Sequence, residues 1–311
     1  MDPCCRHFDA RVSARDYRRD ARAECRDARL PARSLAASES VLYSFQGGKD
    51  GSFPGGNIVM NESGVLYGAT AQGGGTGCVS RFTTGSGCGT VFSLTPPAMS
   101  GGVWNETVIH AFPFSHGGDG PQGVVFGPNG SLLGTTSGGT LEQMGQGTIF
   151  KLTPPSTSGG IWNSSVQHSF PSFAGDGTFP EAGPLASKSG FYGTTKRGGA
   201  YGAGTVFQLA PPSTLGGTWI ESVLYSFTDG SDGGFPLSGL IAGNDGTIYG
   251  TAIDGGQVLA GQETCGTAFA LTPPTVVGGI WIETTIFAFN FTDGCSPTSP
   301  LVLVRHGLRP P

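Results

Sequence analysis

Apolar and polar positions alternate along this chain in short runs bounded by Gly, Pro, Asn or Asp, and the runs return in a fixed order. The first is a brief apolar stretch after a turn: NIVM at Asn57, GVVF at Gly123, GPLA at Gly183 and GLIA at Gly239. The second reads LYGAT at Leu66, LLGTT at Leu132, FYGTT at Phe191 and IYGTA at Ile248. The third reads GTVFSLTPP at Gly89, GTIFKLTPP at Gly147, GTVFQLAPP at Gly204 and GTAFALTPP at Gly266. The fourth reads WNETVIHAF at Trp104, WNSSVQHSF at Trp162, WIESVLYSF at Trp219 and WIETTIFAF at Trp281. Helical spacing fits none of them, so each predicts a strand, and a unit holds four strands, A to D. Alternation along the D strand predicts Trp104, Glu106, Val108, His110 and Phe112 on one face, with Asn105, Thr107, Ile109 and Ala111 on the other.

A four-stranded unit repeated in tandem, 58 residues from Gly89 to Gly147, predicts an all-β fold of the β-propeller kind. A β-solenoid competes, but its repeat is usually shorter and lacks the long C–D connection. SVLYSF at Ser40 reads as a lone D strand and SPLVLV at Ser299 as a lone A strand. The expectation is four complete blades over residues 38–305 with one extra strand at each end, a whole propeller or, preferably, a truncated one. Residues 1–37 form an Arg-rich leader that shares nothing with the repeats and is expected to be disordered; residues 306–311 are a tail. The leader has no apolar core of the signal-peptide kind.

The pattern G-x-L-Y-G-T-T-x-x-G-G followed by G-T-V-F-x-L-T-P, repeated over about residues 40–305, resembles the bacterial tandem repeat called GloVer (Gloeobacter–Verrucomicrobia). The layout also resembles kelch repeats, in which a Gly-Gly strand end precedes a Tyr or Phe strand and a Trp strand. The resemblance implies an exported or cell-surface bacterial protein, and kelch propellers imply a binding module more often than an enzyme.

Composition agrees with a turn-rich β protein: 55 Gly, and charged residues at only 13% against roughly 25% in an average domain. Twenty Phe need a core and exclude a disordered low-complexity chain. Residues 1–34 carry nine of the 17 basic side chains, all Arg, and six acids, which leaves eight basic and 16 acidic groups in the rest. An acidic body repels phosphate backbones, so no nucleic-acid partner is expected. No apolar run is long enough for a transmembrane helix.

One interval of the repeat is elastic. The C-strand Gly precedes Trp by 15 residues in every unit, whereas the B-to-C spacing runs 21 residues from Gly68 to Gly89, then 13, 11 and 16. Length that varies is length that packing does not fix. In an up-and-down blade the B–C and D–A connections share one end, where a recognition surface or neutral drift are both open readings. The candidate contacts there are Arg81, Phe82, Glu142, Lys196, Arg197, Tyr201 and Glu263. Each D–A loop adds an Asp-Gly pair, at Asp50, Asp119, Asp176, Asp232 and Asp293. Five carboxylates at one mouth suit a cation or sugar hydroxyls, although Asp-Gly is also an ordinary turn pair.

Cys78 and Cys88 share the longest B–C loop, and Cys265 and Cys295 lie near one another at the same expected end, so Cys78–Cys88 and Cys265–Cys295 are the economical disulfides. They point to an oxidising, extracellular or cell-surface location. His110 and His168 stand where other repeats carry Tyr43, Tyr225 and Phe287, which reads as an aromatic packing position rather than a metal pair. Trp104, Trp162, Trp219 and Trp281 read as structural wedges between blades. Glu106, Glu221 and Glu283 stand on separate blades and form no expected acid/base pair. No catalytic residue, metal or cofactor is therefore expected. The reading is a binding or scaffold module for an unknown glycan or protein; a propeller glycoside hydrolase or lyase and a passive spacer are the alternatives.

Overall fold

The computed structural model describes residues 39–75, 87–113, 119–138, 146–157, 159–171, 175–214, 217, 219–256, 264–276 and 278–303. The chain divides into two compact units, Met1–Val41 and Leu42–Pro311, and every element among the described residues lies in the second.

The second unit is all-β. Strands β1 (Ser52–Met60), β2 (Leu66–Gln72), β3 (Thr90–Thr95) and β4 (Asn105–Ala111) form the first antiparallel sheet, and β5 (Pro121–Phe126), β6 (Leu132–Thr136), β7 (Thr148–Thr153) and β8 (Asn163–Ser169) the next. A two-stranded ribbon of β9 (Gly177–Thr178) and β12 (Arg197–Gly198) flanks the third sheet, whose strands are β10 (Leu185–Ser187), β11 (Gly190–Thr195), β13 (Thr205–Ala210) and β14 (Ile220–Ser226). The fourth sheet holds β15 (Ile241–Ala242), β16 (Ile248–Ala252), β17 (Thr267–Thr272) and β18 (Ile282–Ala288). Each four-stranded sheet pairs its strands in chain order, as A-B-C-D.

Consecutive sheets bury their faces against each other. One core joins Ala69 and Val91 of the first sheet to Val124, Leu132, Phe150 and Leu152 of the second. A second core joins Leu133 and Ile149 to Phe191, Phe207 and Leu209, and a third joins Val206 and Phe227 to Ile248, Phe269 and Leu271. Trp162, Trp219 and Trp281 pack at the margins of these three cores in turn.

An aromatic link recurs at each junction. The Phe that closes one D segment stacks edge-on against the C-strand Phe of the next repeat: Phe45 on Phe92 at 4.9 Å, Phe112 on Phe150 at 4.9 Å, Phe170 on Phe207 at 5.2 Å and Phe227 on Phe269 at 5.0 Å. Each fully buried ring contributes about 1.5–3 kcal/mol by transfer from water. The glycine of the LYG motif is explained by the same ring. A Cβ on Gly68, Gly134, Gly193 or Gly250 would meet the C-strand Phe at 2.7, 2.4, 2.4 or 2.6 Å.

Strict alternation along the D strand, by contrast, does not hold. Val91 pairs with His110 and Phe92 with Val108, so Ile109 is an extra residue in the β4 ladder. The same shift occurs at Ile149/Phe150, Val206/Phe207 and Ala268/Phe269. Cross-strand partners share a face, so such a β-bulge leaves Glu106 and Val108 facing the preceding repeat and turns His110 and Phe112 toward the following one. A second correction concerns the ends. SVLYSF and the described part of SPLVLV, residues 299–303, join no ladder, because neither has a sister strand among the described residues to pair with. They still hold D and A positions: Phe45 stacks on Phe92, and the Thr251 hydroxyl donates to the Pro297 and Ser299 carbonyls at 3.4 Å.

Backbone hydrogen bonds tie the last three D–A loops to the repeat before them. Phe179 N–H donates to the Gln146 carbonyl at 2.7 Å, Phe235 to Ala203 at 2.7 Å and Ser296 to Cys265 at 2.8 Å. These three donors have φ of 59°, 53° and 54°, a conformation that costs a non-glycine residue about 1–3 kcal/mol.

Gly193→Ala is expected to destabilise the protein by about 1–3 kcal/mol through overpacking against Phe207. Urea denaturation monitored by fluorescence measures this; an unchanged midpoint would show that the ring does not fix that glycine.

Candidate functional site

The elastic B–C loops and the D–A loops meet at one end of every sheet. Gly74 N–H donates to the Gly48 carbonyl at 2.9 Å, Gly138 to Asp119 at 2.9 Å, Gly199 to Asp176 at 2.6 Å and Gly256 to Gly230 at 2.8 Å. From the closing Phe to the glycine of the next LYG-type strand the chain runs 22 or 23 residues every time, so the loop of variable length is bonded to a loop of nearly constant length in all four repeats. Arg81, Phe82, Glu142 and Glu263 lie outside the described residues. Among the other candidates, Tyr201 is 67% exposed, Lys196 is half-buried, and Arg197 is exposed with its guanidinium 5.8 Å from the Phe235 ring centre.

The loop aspartates are engaged by their own loops to differing degrees. Asp50 accepts bonds from Gln46 N–H at 2.7 Å, Gly48 N–H at 3.2 Å and the Tyr43 hydroxyl at 3.1 Å. Burial pushes its pKa up, and those donors together hold it below the usual carboxylate range. Buried Asp232 accepts from Thr228 N–H and the Tyr225 hydroxyl, both at 2.9 Å, and from the Thr228 hydroxyl. Exposed Asp293 accepts from Asn290 N–H at 2.7 Å and Asn290 Nδ2 at 2.6 Å. Asp176 accepts from Gly177 N–H at 2.6 Å. Burial pushes Asp119 up.

The bulge brings three repeat columns together at the first, third and fourth junctions. The ring at the His110 position and the loop Asp of one repeat approach the D-strand residue at the Glu106 position of the next. Tyr43, Asp50 and Glu106 interact at the first junction, and Tyr225, Asp232 and Glu283 at the fourth. At the third, ligand atoms of His168, Asp176 and Glu221 all lie within 4.8 Å of one another. Each of the three glutamates thus stands near the loop Asp of the preceding repeat, a proximity that the sequence conceals because the two residues come from separate repeats. The sign visible in the sequence is an adjacent apolar pair, Val108-Ile109 and Val223-Leu224, which breaks alternation where the bulge falls in two of the four D strands.

Both imidazoles stack edge-on against the Phe two residues later, His110 on Phe112 at 4.7 Å and His168 on Phe170 at 4.8 Å. Burial lowers the pKa of both, and the Asp176 charge partly opposes it at His168. Burial first, and then the neighbouring Asp charge, raise Glu106 to about 7 and Glu221 to about 8. Glu283 rises to about 7 through burial, opposed by a hydroxyl bond from Thr285 at 3.2 Å and reinforced by Asp232. Glu106 Oε1, Glu221 Oε1 and His168 Nε2 are buried without a hydrogen-bond partner.

Cys265 and Cys295 are joined, with Cα atoms 4.3 Å apart, and the cross-link fastens a D–A loop to the start of β17. Cys88 is also disulfide-bonded, while Cys78 lies outside the described residues. Among the described residues no helix is long and apolar enough to cross a membrane.

The raised glutamates set a pH dependence. A carboxyl whose native pKa lies above its unfolded value favours the native state while protonated, so that stabilisation is lost as pH rises toward the native pKa. The lowered histidines act oppositely, but only below about 6.5, the ordinary imidazole value. With chelator present, the melting temperature is expected to fall between pH 6.5 and 8.5, and Glu221→Gln to flatten the upper part of the fall. A Glu221→Gln profile parallel to that of the wild type would contradict this assignment.

A comparison with curated proteins finds no match. Residues 77–308 match the Gloeobacter/Verrucomicrobia repeat, a span that takes in three junctions and all but the first two strands of the first sheet. The chain belongs to the Gloeobacter/Verrucomicrobia repeat family.

Proposed function

We propose that this protein is a binding or scaffold module displayed outside the cell, whose sheets are the blades of a propeller and whose loop end meets a glycan or a protein. The observation that carries the reading is the bonding of every elastic B–C loop to a near-constant D–A loop at one end of the sheets. Sequence can change there without disturbing a core, which is what a recognition surface needs. The propeller arrangement draws support from the face-to-face packing of consecutive sheets and from A strands that approach one another, β1 against β5. The family repeat and the Cys265–Cys295 cross-link are compatible with an exported protein. Residues 38–305 are the proposed module, with Tyr201, Arg197 and Lys196 as its first contacts among the described candidates and nucleic acid not among its partners.

A thermal-shift screen of the full oxidised chain against soluble glycans tests this reading. A ligand at 100 times its Kd raises stability by about 2.7 kcal/mol. The shift is expected to vanish in Arg197→Ala/Tyr201→Ala while melting stays cooperative. Release of reducing ends from a glycan would instead support a hydrolase. No shift with any glycan, and no protein retained on an immobilised surface extract, would favour the spacer.

A further inference from the structure

We propose that His168, Asp176 and Glu221 form a binding site for a divalent transition-metal ion of the zinc type, clamped between the second and third sheets. This goes beyond the binding role of the loop end and does not depend on it.

The three side chains come from three places. His168 lies on β8, Asp176 in the loop before β9, and Glu221 on β14 of the next sheet. Their ligand atoms lie within 4.8 Å of one another. Zinc bonds of about 2.0–2.2 Å would draw them inward by side-chain movement alone. One imidazole with two carboxylates is a donor set that suits zinc and its neighbours better than calcium, which prefers oxygen throughout.

Two unpartnered atoms point to a missing occupant. His168 Nε2 and Glu221 Oε1 are buried, and neither has a hydrogen-bond partner. Buried polar groups are ordinarily satisfied, so each orphan calls for an explanation. A cation between them satisfies both and neutralises two adjoining carboxylates. The edge-on contact of His168 with Phe170 holds the ring in place.

The other junctions serve as internal controls. At the first and fourth, a Tyr hydroxyl occupies the imidazole position and donates to the loop Asp, at 3.1 and 2.9 Å. At the second, His110 is present but Ser164 stands where Glu would be. Only the third, among the described residues, unites His, Asp and Glu. Asp176 also accepts the Gly199 N–H through its carbonyl, so a bound ion would steady the loop that carries Lys196, Arg197 and Tyr201.

The test is zinc binding to the full-length chain after removal of metal by chelator, by equilibrium dialysis at pH 7.5 and by thermal shift. Because Cys4, Cys5 and Cys25 can also take zinc, the readout is the difference between wild type and variant. His168→Tyr installs the side chain that the first and fourth junctions already accommodate, and Glu221→Gln keeps the shape while removing the carboxyl that ionises to bind a cation. The expected result is one zinc equivalent fewer in each variant and loss of the zinc-induced rise in Tm seen in the wild type. If His168→Tyr fails to fold, Glu221→Gln decides. Equal zinc content in the wild type and a folded variant, or no rise in Tm for the wild type, would overturn the proposal.

Discussion

One extra residue in each D strand governs how the repeats meet. Ile109 and its counterparts interrupt the ladder between C and D, so the two halves of that strand face opposite neighbours. The first half sends Trp and Glu toward the preceding repeat, and the second sends the ring and the closing Phe toward the following one. Without the bulge, Phe112 would turn away from Phe150 and the edge-on contact between repeats would be lost. The junction cores, the aromatic links and the mixed polar clusters all follow from that local change of register.

Two kinds of pressure act on the resulting junction. Its apolar part is fixed by packing, since the ring of the C strand lies against the glycine of the B strand and against the next aromatic, leaving little room for a different volume. Its polar part is only loosely specified. The position of Tyr43 accepts His and Phe, and that of Glu106 accepts Ser. Those substitutions alter charge and hydrogen bonding at the rim without reaching the core. Chemical differences between otherwise similar repeats therefore collect at the seams.

Much of the fold was legible because apolar alternation and turn residues mark each strand of a repeat. The LYG and GTVF segments correspond to β2 and β3, β6 and β7, β11 and β13, and β16 and β17, and each Trp stands immediately before its D strand. What escaped was the relation between repeats. Sequence spacing links Glu221 to Trp219 but is silent on Asp176, which lies 45 positions earlier in the chain and reaches Glu221 only because two sheets pack. The same holds for His168, which an aromatic column assigns to packing alone. The A strands β10 and β15 are also shorter than their apolar runs predict, since Pro184 and the Gly residues around both leave little hydrogen-bonding ladder.

The bulge also separates the unit of inheritance from the unit of chemistry. Duplicating or deleting one repeat length copies or removes a whole sheet and preserves every type of core contact, because each junction accepts the same apolar set. The polar partners do not travel together, as ring and Asp arrive with one copy and the facing Glu or Ser with the next. Each such event re-deals the combinations at a seam while the scaffold is left intact. A tandem array of this kind can thus acquire or lose a ligand set in a single genetic step, with no point substitution in any repeat.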